Sequence, residues 1–292
     1  MDMFIQLTLV GLTTGTIYGI VALGFSIIFT SSSVLNFAQG DFVMVGGISA
    51  ALIYGATGNY VLATGGALLA GLLTAGVVYL AAVRPLLARS AAPITIVIAT
   101  LALAITIEAV MQQLFGPSIR YMPPIIEGGS LKIFGAAVGI QNLLILVLTV
   151  PLVFFLWWFL YKTRSGLDVR AVGIDRSVAE LLGVKTRRIT MGGFLVSGVL
   201  GALAGVLLTP ILGMSPTMGV GFSVTGFIAA VVGGITNPFA ALAGGIVVGL
   251  IEVYVSGYFN SSFTAASVFL LLPAILLLRP DGLFARKVTK KR

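Results

Sequence analysis

The sequence predicts an all-α integral membrane protein, a polytopic bundle of about eight to ten transmembrane or re-entrant helices. The chain of 292 residues is 58% hydrophobic and has a mean hydropathy of +1.12. Only 9% of its residues are charged, whereas a soluble domain carries roughly a quarter. Apolar runs near the length that crosses a bilayer, about 20 residues, recur along the whole chain.

The composition also limits the chemistry of this chain, which contains no cysteine and no histidine. Thiol catalysis, disulfide bonds and the commonest metal ligands are therefore excluded. The formal net charge is +8, but the basic residues flank the apolar runs instead of forming one basic surface. We therefore expect membrane lipid around the protein and no nucleic-acid partner.

The apolar runs predict the membrane segments in order. The first run is longer than the core of a signal peptide and lacks a basic start, so we expect a retained span. The second and seventh runs are shorter than the ~20 residues of a crossing helix, which indicates broken, tilted or re-entrant segments. The runs lie at residues 4–29, 42–56, 61–83, 94–115, 140–161, 191–212, 223–236, 238–258 and 263–279.

The distribution of lysine and arginine predicts the orientation in the membrane. Charge is concentrated in the segment Lys162–Arg188, between two apolar runs. Because basic residues are enriched on the cytoplasmic side, we expect this segment to be cytoplasmic. The turn Arg84–Arg89 and the basic C-terminal tail from Arg279 then fall on the same side, and only Arg120 and Lys132 fall opposite.

A weak internal similarity predicts two halves. Residues 45–49, Val-Gly-Gly-Ile-Ser, are similar to residues 232–236, Val-Gly-Gly-Ile-Thr, and each stretch is followed by another glycine pair. Transporters are often built from two related halves, with the substrate site at interrupted helices between them. We therefore predict one transmembrane domain over residues 1–292, with halves at about 1–139 and 140–292.

Within the charged segment, the stretch from Asp175 to Gly183 predicts a short amphipathic helix. Asp175 can cap its N-terminus and Gly183 can end it. Val178, Leu181 and Leu182 recur at helical spacing and form one apolar face. From this pattern alone, the face either packs on the protein's own spans, lies at the lipid interface or binds a partner.

These residues also resemble a known family. Ala179-x-x-x-Gly183 matches the core of the cytoplasmic loop with which permeases of ATP-binding-cassette (ABC) transporters bind their ATPases, and the flanking Thr163–Gly166 extends the match. Leu35–Phe42 and Ala229–Ile235 resemble segments of the LivH/LivM family of branched-chain amino acid permeases, most closely its LivH type. Together these matches cover most of residues 10–285.

The resemblance implies a permease subunit of an importer that is not itself an enzyme and holds no cofactor. Its partners would be a second homologous permease subunit, two ABC ATPases that hold ATP and Mg²⁺, and a soluble external substrate-binding protein. The system would carry branched-chain or related small amino acids, or small amides, across the bacterial cytoplasmic (inner) membrane. The loop 162–189 and the C-terminus would be cytoplasmic. The implied ATPase-coupling helix comprises Asp175, Arg176, Val178, Ala179, Glu180, Leu181, Leu182 and Gly183.

Polar residues in the apolar part of the chain are the candidates for the translocation pathway. Asn36, Gln39 and Asp41 follow the first span and form either an ordinary aqueous loop or a re-entrant element near the pathway. Glu108 and Glu252 each end an apolar run. A buried carboxylate is costly, so each either contacts the pathway or lies near the outer interface beside water or tyrosine.

These observations bear on three classes of function. An importer subunit is the leading hypothesis, and its energy must come from partners because no Gly-x-x-x-x-Gly-Lys-Ser/Thr motif occurs in the chain. The alternative is an ion- or proton-coupled secondary transporter that uses Glu108 and Glu252 as coupling groups. An intramembrane enzyme is disfavoured because histidine and cysteine are absent. The outer loop Gly116–Gly139 either docks the binding protein or is merely exposed.

Overall fold

Helices account for most of the computed structural model, which describes residues 2–126, 128–133 and 136–284. The basic tail from Arg286 onward lies outside the described residues. The helices are α1 (Asp2–Ser32), α2 (Gln39–Thr57), α3 (Tyr60–Val78), α4 (Arg84–Ala88), α5 (Pro93–Phe115), α6 (Ile140–Lys162), α7 (Arg164–Ile174), α8 (Arg176–Leu181), α9 (Thr186–Leu212), α10 (Gly219–Gly233), α11 (Pro238–Tyr258) and α12 (Thr264–Leu278). A π-helical turn, Tyr79–Val83, joins α3 to α4.

The predicted all-α membrane architecture is confirmed. Within the described residues, 7 helical stretches are long and apolar enough to cross a membrane, with α3 and α4 counted as one stretch. Two further apolar helices, α10 and α12, are shorter, at 15 residues each. Of the two runs predicted to be short, α2 has 19 residues and reaches spanning length, whereas α10 remains short.

Helices α1 and α11 pack backbone to backbone in the centre of the bundle because glycines line their contact. A Cβ atom added at Gly15 would lie 2.7 Å from the Cα of Ile246, and one added at Gly249 would meet the backbone of Gly15. Small residues four apart permit this close approach between membrane helices. The most apolar part of α1 is 78% buried, compared with 17% for α5 and 22% for α6, so α5 and α6 lie at the periphery.

Helix α9 joins a second group of helices, α2 and α3, in the same way. A Cβ at Gly198 of α9 would lie 2.5 Å from the carbonyl oxygen of Gly71 in α3. Gly205, two turns further along α9, faces the carbonyl oxygen of Val43 in α2. The buried face of α9 is therefore occupied by both helices, and α9 connects them to the charged segment that precedes it.

Two breaks interrupt the helical chain inside the bundle. After α1, Ser33 takes a φ of 57° and residues 34–38 return into the protein before α2 begins. After α9, Gly213 takes a φ of 69°, and Met214 exchanges backbone hydrogen bonds of 2.8 and 2.9 Å with Arg120. Gln39, the first residue of α2, is fully buried. The short connections therefore place the N-termini of α2 and α10 inside the protein.

The basic segments lie at one end of the bundle. The hydroxyl of Tyr79 donates to the carbonyl oxygen of Arg187 over 3.1 Å, which places the end of α3 beside the start of α9. Gly173 of α7 packs against Thr30 near the end of α1. Arg120 lies at the opposite end, beside the residue that follows α9. These described residues share one end as predicted from the sequence, whereas the side of the membrane stays a prediction.

The loop Gly116–Gly139 contains a hairpin that the sequence pattern did not predict. Strands β1 (Ser130–Ile133) and β2 (Ala136–Gly139) form an antiparallel hairpin in which Ser130 pairs with Gly139. Each strand has only 4 residues, which is too short for a clear alternating pattern. The hairpin leads directly into α6.

The sequence similarity behind the two-half prediction falls at different places in the helices. Residues 45–49 lie inside α2, whereas residues 232–236 span the end of α10, where Gly234 takes a φ of 120°. α2 and α10 do share one feature, since each begins at an interior break. The two-half organisation stays a prediction.

Candidate functional site

The segment Asn36–Asp41 is buried, and neighbouring helices satisfy its backbone. The amide of Phe37 donates to the hydroxyl of Thr100 on α5 over 3.2 Å. The amide of Gly40 donates to the hydroxyl of Ser223 on α10 over 2.8 Å. That hydroxyl in turn donates to the carbonyl oxygen of Phe37 over 2.6 Å. Irregular backbone at membrane depth requires such internal partners, so this segment is not an ordinary aqueous loop.

Gln39 ties the start of α2 to α9. The hydroxyl of Ser197 donates to Oε1 of Gln39 over 2.5 Å, and Nε2 of Gln39 donates to the carbonyl oxygen of Ser197 over 3.4 Å. Gly24 of α1 packs against the same amide, where a Cβ would collide with Nε2. Both polar ends of the Gln39 side chain are therefore used, and its position is set from two helices.

Asp41 and Glu108 converge at the N-terminus of α10. The amide of Val220 donates to Oε1 of Glu108 over 2.8 Å. A Cβ at Gly219 would lie 3.0 Å from the same Glu108 oxygen and would collide with Oδ1 of Asp41. Asp41 is fully buried, in the first turn of α2. Two helix N-termini, each with a partial positive charge, thus face two carboxylates.

Unused hydrogen-bonding capacity is concentrated around Asp41. Neither of its carboxylate oxygens has a hydrogen-bond partner among the described residues, and Nδ2 of Asn36 also lacks one there. Buried polar groups are normally satisfied, so each exception calls for an explanation. An ammonium group would supply the donors that the carboxylate lacks, and a proton or a small cation would neutralise its charge.

Glu252 belongs to a different environment. Its carboxylate on α11 lies near Tyr18 of α1, and its Oε2 atom has no hydrogen-bond partner among the described residues. The tyrosine fits one part of the second interpretation, whereas the position of Glu252 relative to the outer interface stays a prediction. The structure therefore groups Glu108 with Asp41 and places Glu252 at the contact between α1 and α11.

The predicted helix in the charged segment is present as α8. Oδ1 of Asp175 accepts from the amide of Val178 over 3.0 Å and caps the N-terminus. At the other end Gly183 takes a φ of 85°. The amide of Gly183 donates to Glu180 and that of Val184 to Ala179, each over 3.0 Å. This is a Schellman ending, which explains why the motif needs glycine at its last position.

The apolar face of α8 has no cover within the described residues. Leu181 is 87% exposed, Leu182 76% and Val178 50%, whereas Ala179 is only 1% exposed. The face therefore does not pack on the protein's own spans, which removes one of the three interpretations drawn from the sequence. Ala179 turns inward and anchors the helix to its own chain.

Polar contacts fix the other side of α8 to the start of α9. Arg176 and Glu180 form a salt bridge at 3.3 Å, and the hydroxyl of Thr186 donates to Glu180 over 2.6 Å. The hydrogen bond from Thr186, and to a smaller extent the one from Arg176, lower the pKa of Glu180 below its ordinary value. Glu180 is therefore ionised at neutral pH, and α8 is tied to the first residue of α9.

The sequence of this chain matches known permeases over nearly its whole length. A family model described as "Branched-chain amino acid transport system / permease component" matches residues 7–278. The chain belongs to this family. The branched-chain amino acid permease LivH of Salmonella typhimurium is 27% identical to it, over 99% of this chain and 97% of that protein. BraD of Pseudomonas aeruginosa is 26% identical, over 99% of this chain and 98% of BraD. A probable LivH of Methanocaldococcus jannaschii is 28% identical, over 90% of this chain and 87% of that protein.

Several polar residues of this permease site were missed by the sequence analysis. Ser197, Ser223 and Thr100 are buried hydroxyl residues within largely apolar helices. Polar residues inside apolar helices are a usable signal, since each must find an internal partner. Gly219 could not be recognised, because its role depends on carboxylates that come from two other helices.

Proposed function

We propose that this permease is one of two membrane subunits of an ABC importer that carries branched-chain or related small amino acids. Its partners are a second homologous permease, two ATPases that bind ATP and Mg²⁺, and an external substrate-binding protein. The observation that carries this proposal is the family match over residues 7–278. Relatives named as permeases of high-affinity branched-chain amino acid transport support it.

The proposed orientation places α7, α8 and the C-terminus in the bacterial cytoplasm. Charged segments at the end of α3, in α7 and α8, and at the start of α9 share one end of the bundle. Because Lys and Arg are enriched in the cytoplasmic loops of membrane proteins, we propose that this end faces the cytoplasm. The β1–β2 hairpin then lies on the outer side, where a substrate-binding protein delivers its cargo.

The exposed face of α8 is proposed to dock on the ATPase. Val178, Leu181 and Leu182 present a compact apolar surface beyond the membrane spans, and such a surface marks an interaction site. Charged groups on the opposite side of the helix are already used within the chain. ATPase closure would therefore move α8 as a unit with the start of α9.

A contiguous set of contacts links α8 to the buried carboxylates. Glu180 is bonded to Thr186, the first residue of α9, and Ser197 on the same helix is bonded to Gln39 of α2. Asp41 lies two residues after Gln39, in the same first turn of α2, and packs against Gly219 of α10. We propose that displacement of α9 separates the N-termini of α2 and α10. Coupling of this kind requires an element with two discrete arrangements, and we propose the interior breaks before α2 and α10 as that element.

Opening between α2 and α10 would expose Asp41 and Glu108 to the passing substrate. Amino acids carry an ammonium group at neutral pH, and Asp41 has two oxygens without partners among the described residues. The carboxylate pair is therefore proposed as the transient contact of the ammonium group. Asn36 adds an unused amide donor for the substrate carboxylate.

Reconstitution in proteoliposomes tests the proposal. Uptake of radiolabelled leucine by the chain together with its partner permease and ATPases should require ATP and the binding protein, and a protonophore should leave it unchanged. Omission of the ATPases is the control. Uptake that persists without ATPases and collapses with the protonophore would instead support the secondary-transporter alternative with Glu108 and Glu252.

A further inference from the structure

Helix α6 stands away from the bundle and leaves two adjoining cavities along its inner side. The first is an apolar groove of about 700 Å³ between α1, α6 and α11, lined by residues such as Phe154, Trp157, Phe239 and Leu242. The second, of about 600 Å³, lies at the α6–α7 end and includes Thr30, Tyr161 and Arg170. The Tyr161 ring lies 6.2 Å from the Trp157 ring and 6.0 Å from the Phe239 ring between centroids, in tilted contacts, so one aromatic cluster borders both cavities.

Two of the residues that line the second cavity, Arg170 and Thr30, carry buried donors without partners among the described residues. Nε of Arg170 and Oγ1 of Thr30 are buried, and neither has a hydrogen-bond partner among the described residues. The salt bridge found in this part of the chain joins Arg176 to Glu180, so Arg170 has no carboxylate partner there. Its guanidinium lies 4.9 Å from the ring centroid of Tyr161. An arginine without a counter-charge, beside a free hydroxyl, favours an anion rich in acceptor oxygens.

The second cavity lies at the depth of the membrane interface, where the available anions are lipid phosphates. Trp157, Tyr161 and Lys162 form the aromatic and basic girdle that marks a membrane interface, with the ammonium of Lys162 5.7 Å from the Trp157 ring centroid. Beyond the girdle the apolar groove runs along α6 toward the membrane interior. A charged site at interface depth, continuous with an apolar groove, has the shape of a phospholipid.

We propose that these two cavities bind an anionic phospholipid, with its phosphate on Arg170 and Thr30 and an acyl chain in the groove along α6. The lipid fills the gap between α6 and the α1–α11 pair. Arg170 lies on α7, the helix that precedes α8, so the bound lipid contacts the charged segment directly. This site is separate from the carboxylate pair and does not depend on the proposed transport function.

The tryptophans allow a direct test, because the chain contains only two, Trp157 and Trp158. Trp157 lines the groove and Trp158 does not. Full-length protein carrying Trp158→Phe, reconstituted in vesicles, reports on the groove through quenching by brominated lipids. We expect brominated phosphatidylglycerol to bind there about fivefold more strongly than brominated phosphatidylcholine, the difference expected for one basic residue. Protein carrying Trp157→Phe should show no such preference.

A pair of arginine variants completes the test. In the Trp158→Phe background, Arg170→Gln should abolish the preference, whereas Arg164→Gln, an exposed residue of the same segment, should retain it. Equal quenching by both lipids at Trp157, or a preference that survives Arg170→Gln, would overturn the proposal. So would relief of quenching by inorganic phosphate, which indicates a soluble anion. Loss of all quenching once the partner permease is added would show that protein occupies the groove.

Discussion

Asp41 and Glu108 come from different helices, yet both place a carboxylate oxygen on the side of Gly219 that a Cβ would occupy. Glu108 uses one oxygen to cap α10 through Val220, whereas Asp41 has no hydrogen-bond partner among the described residues. The positive end of the α10 dipole favours both charges. Glu108 therefore has a structural role, whereas the Asp41 carboxylate has oxygens available to bind a ligand. Both lie where the N-termini of α2 and α10 meet inside the protein.

The first prediction concerns Gly219→Ala. The added methyl group must displace the Asp41 carboxylate or shift α10, so we expect a loss of stability of about 1–3 kcal/mol and severely reduced transport. Gly221→Ala is the matched control, because nothing lies within 4 Å of a Cβ at that position. Thermal unfolding in detergent and uptake in proteoliposomes are the measurements. Equal behaviour of the two variants would contradict the packing described at α10.

The second prediction separates the three carboxylates. Asp41→Asn should leave insertion and stability intact, since no hydrogen bond within the described residues is lost, but should reduce uptake at least about tenfold. Glu252→Gln should transport nearly normally, because Glu252 interacts with Tyr18 between α1 and α11. Initial rates of uptake at saturating binding protein provide the comparison. A larger loss of uptake for Glu252→Gln than for Asp41→Asn would place the substrate contact at Glu252 instead of Asp41.

The third prediction addresses the exposed face of α8. Leu181→Asp should reduce ATPase binding about tenfold or more, because a central apolar contact of an interface would be lost. Insertion should be unaffected, since the side chain is 87% exposed. Ser177→Asp introduces the same charge on the same helix outside the apolar face and serves as control. Co-purification of the ATPases decides the result, and normal recovery with Leu181→Asp would exclude α8 as the docking element.

The fourth prediction concerns Gly183, whose φ of 85° ends α8. A Cβ there would meet no atom within 4 Å, so the cost of substitution is conformational. Gly183→Ala should destabilise the helix ending by about 1 kcal/mol, whereas Gly183→Asn should be better tolerated. Gly183→Arg adds bulk to this strain and should prevent ATPase docking without affecting insertion. Hydrogen exchange of the α8 amides measures the loss of helix stability, and co-purification of the ATPases measures the loss of docking. Equal exchange in the Ala and Asn variants would argue against the left-handed ending.

The features that could be predicted from the sequence are those set by interactions between residues close together in the chain. The spans follow from the length and polarity of each run, and the ends of α8 from Asp175 and Gly183, which act within one turn of the chain. The bias of Lys and Arg predicted which segments share one end of the bundle. The β1–β2 hairpin escaped prediction because its strands are short.

The remaining features depend on contacts between residues far apart in the chain. Whether Asn36–Asp41 was an aqueous loop or a buried element depended on which side chains of α5, α9 and α10 surround it. Glu108 and Glu252 looked alike in the sequence, each at the end of an apolar run, yet one caps α10 beside Asp41 and the other lies beside Tyr18.

The sequence by itself determined the membrane class, the order of the spans, the single charged end and the helix that presents Leu181. These properties follow from hydrophobicity and from interactions between near neighbours in the chain. Only the tertiary structure decided that Asp41 lacks a partner among the described residues, that Gly219 must be glycine and that α8 leaves its apolar face uncovered. Each of these depends on the packing of helices through their glycines, which sets the distances between side chains that the order of residues does not encode locally.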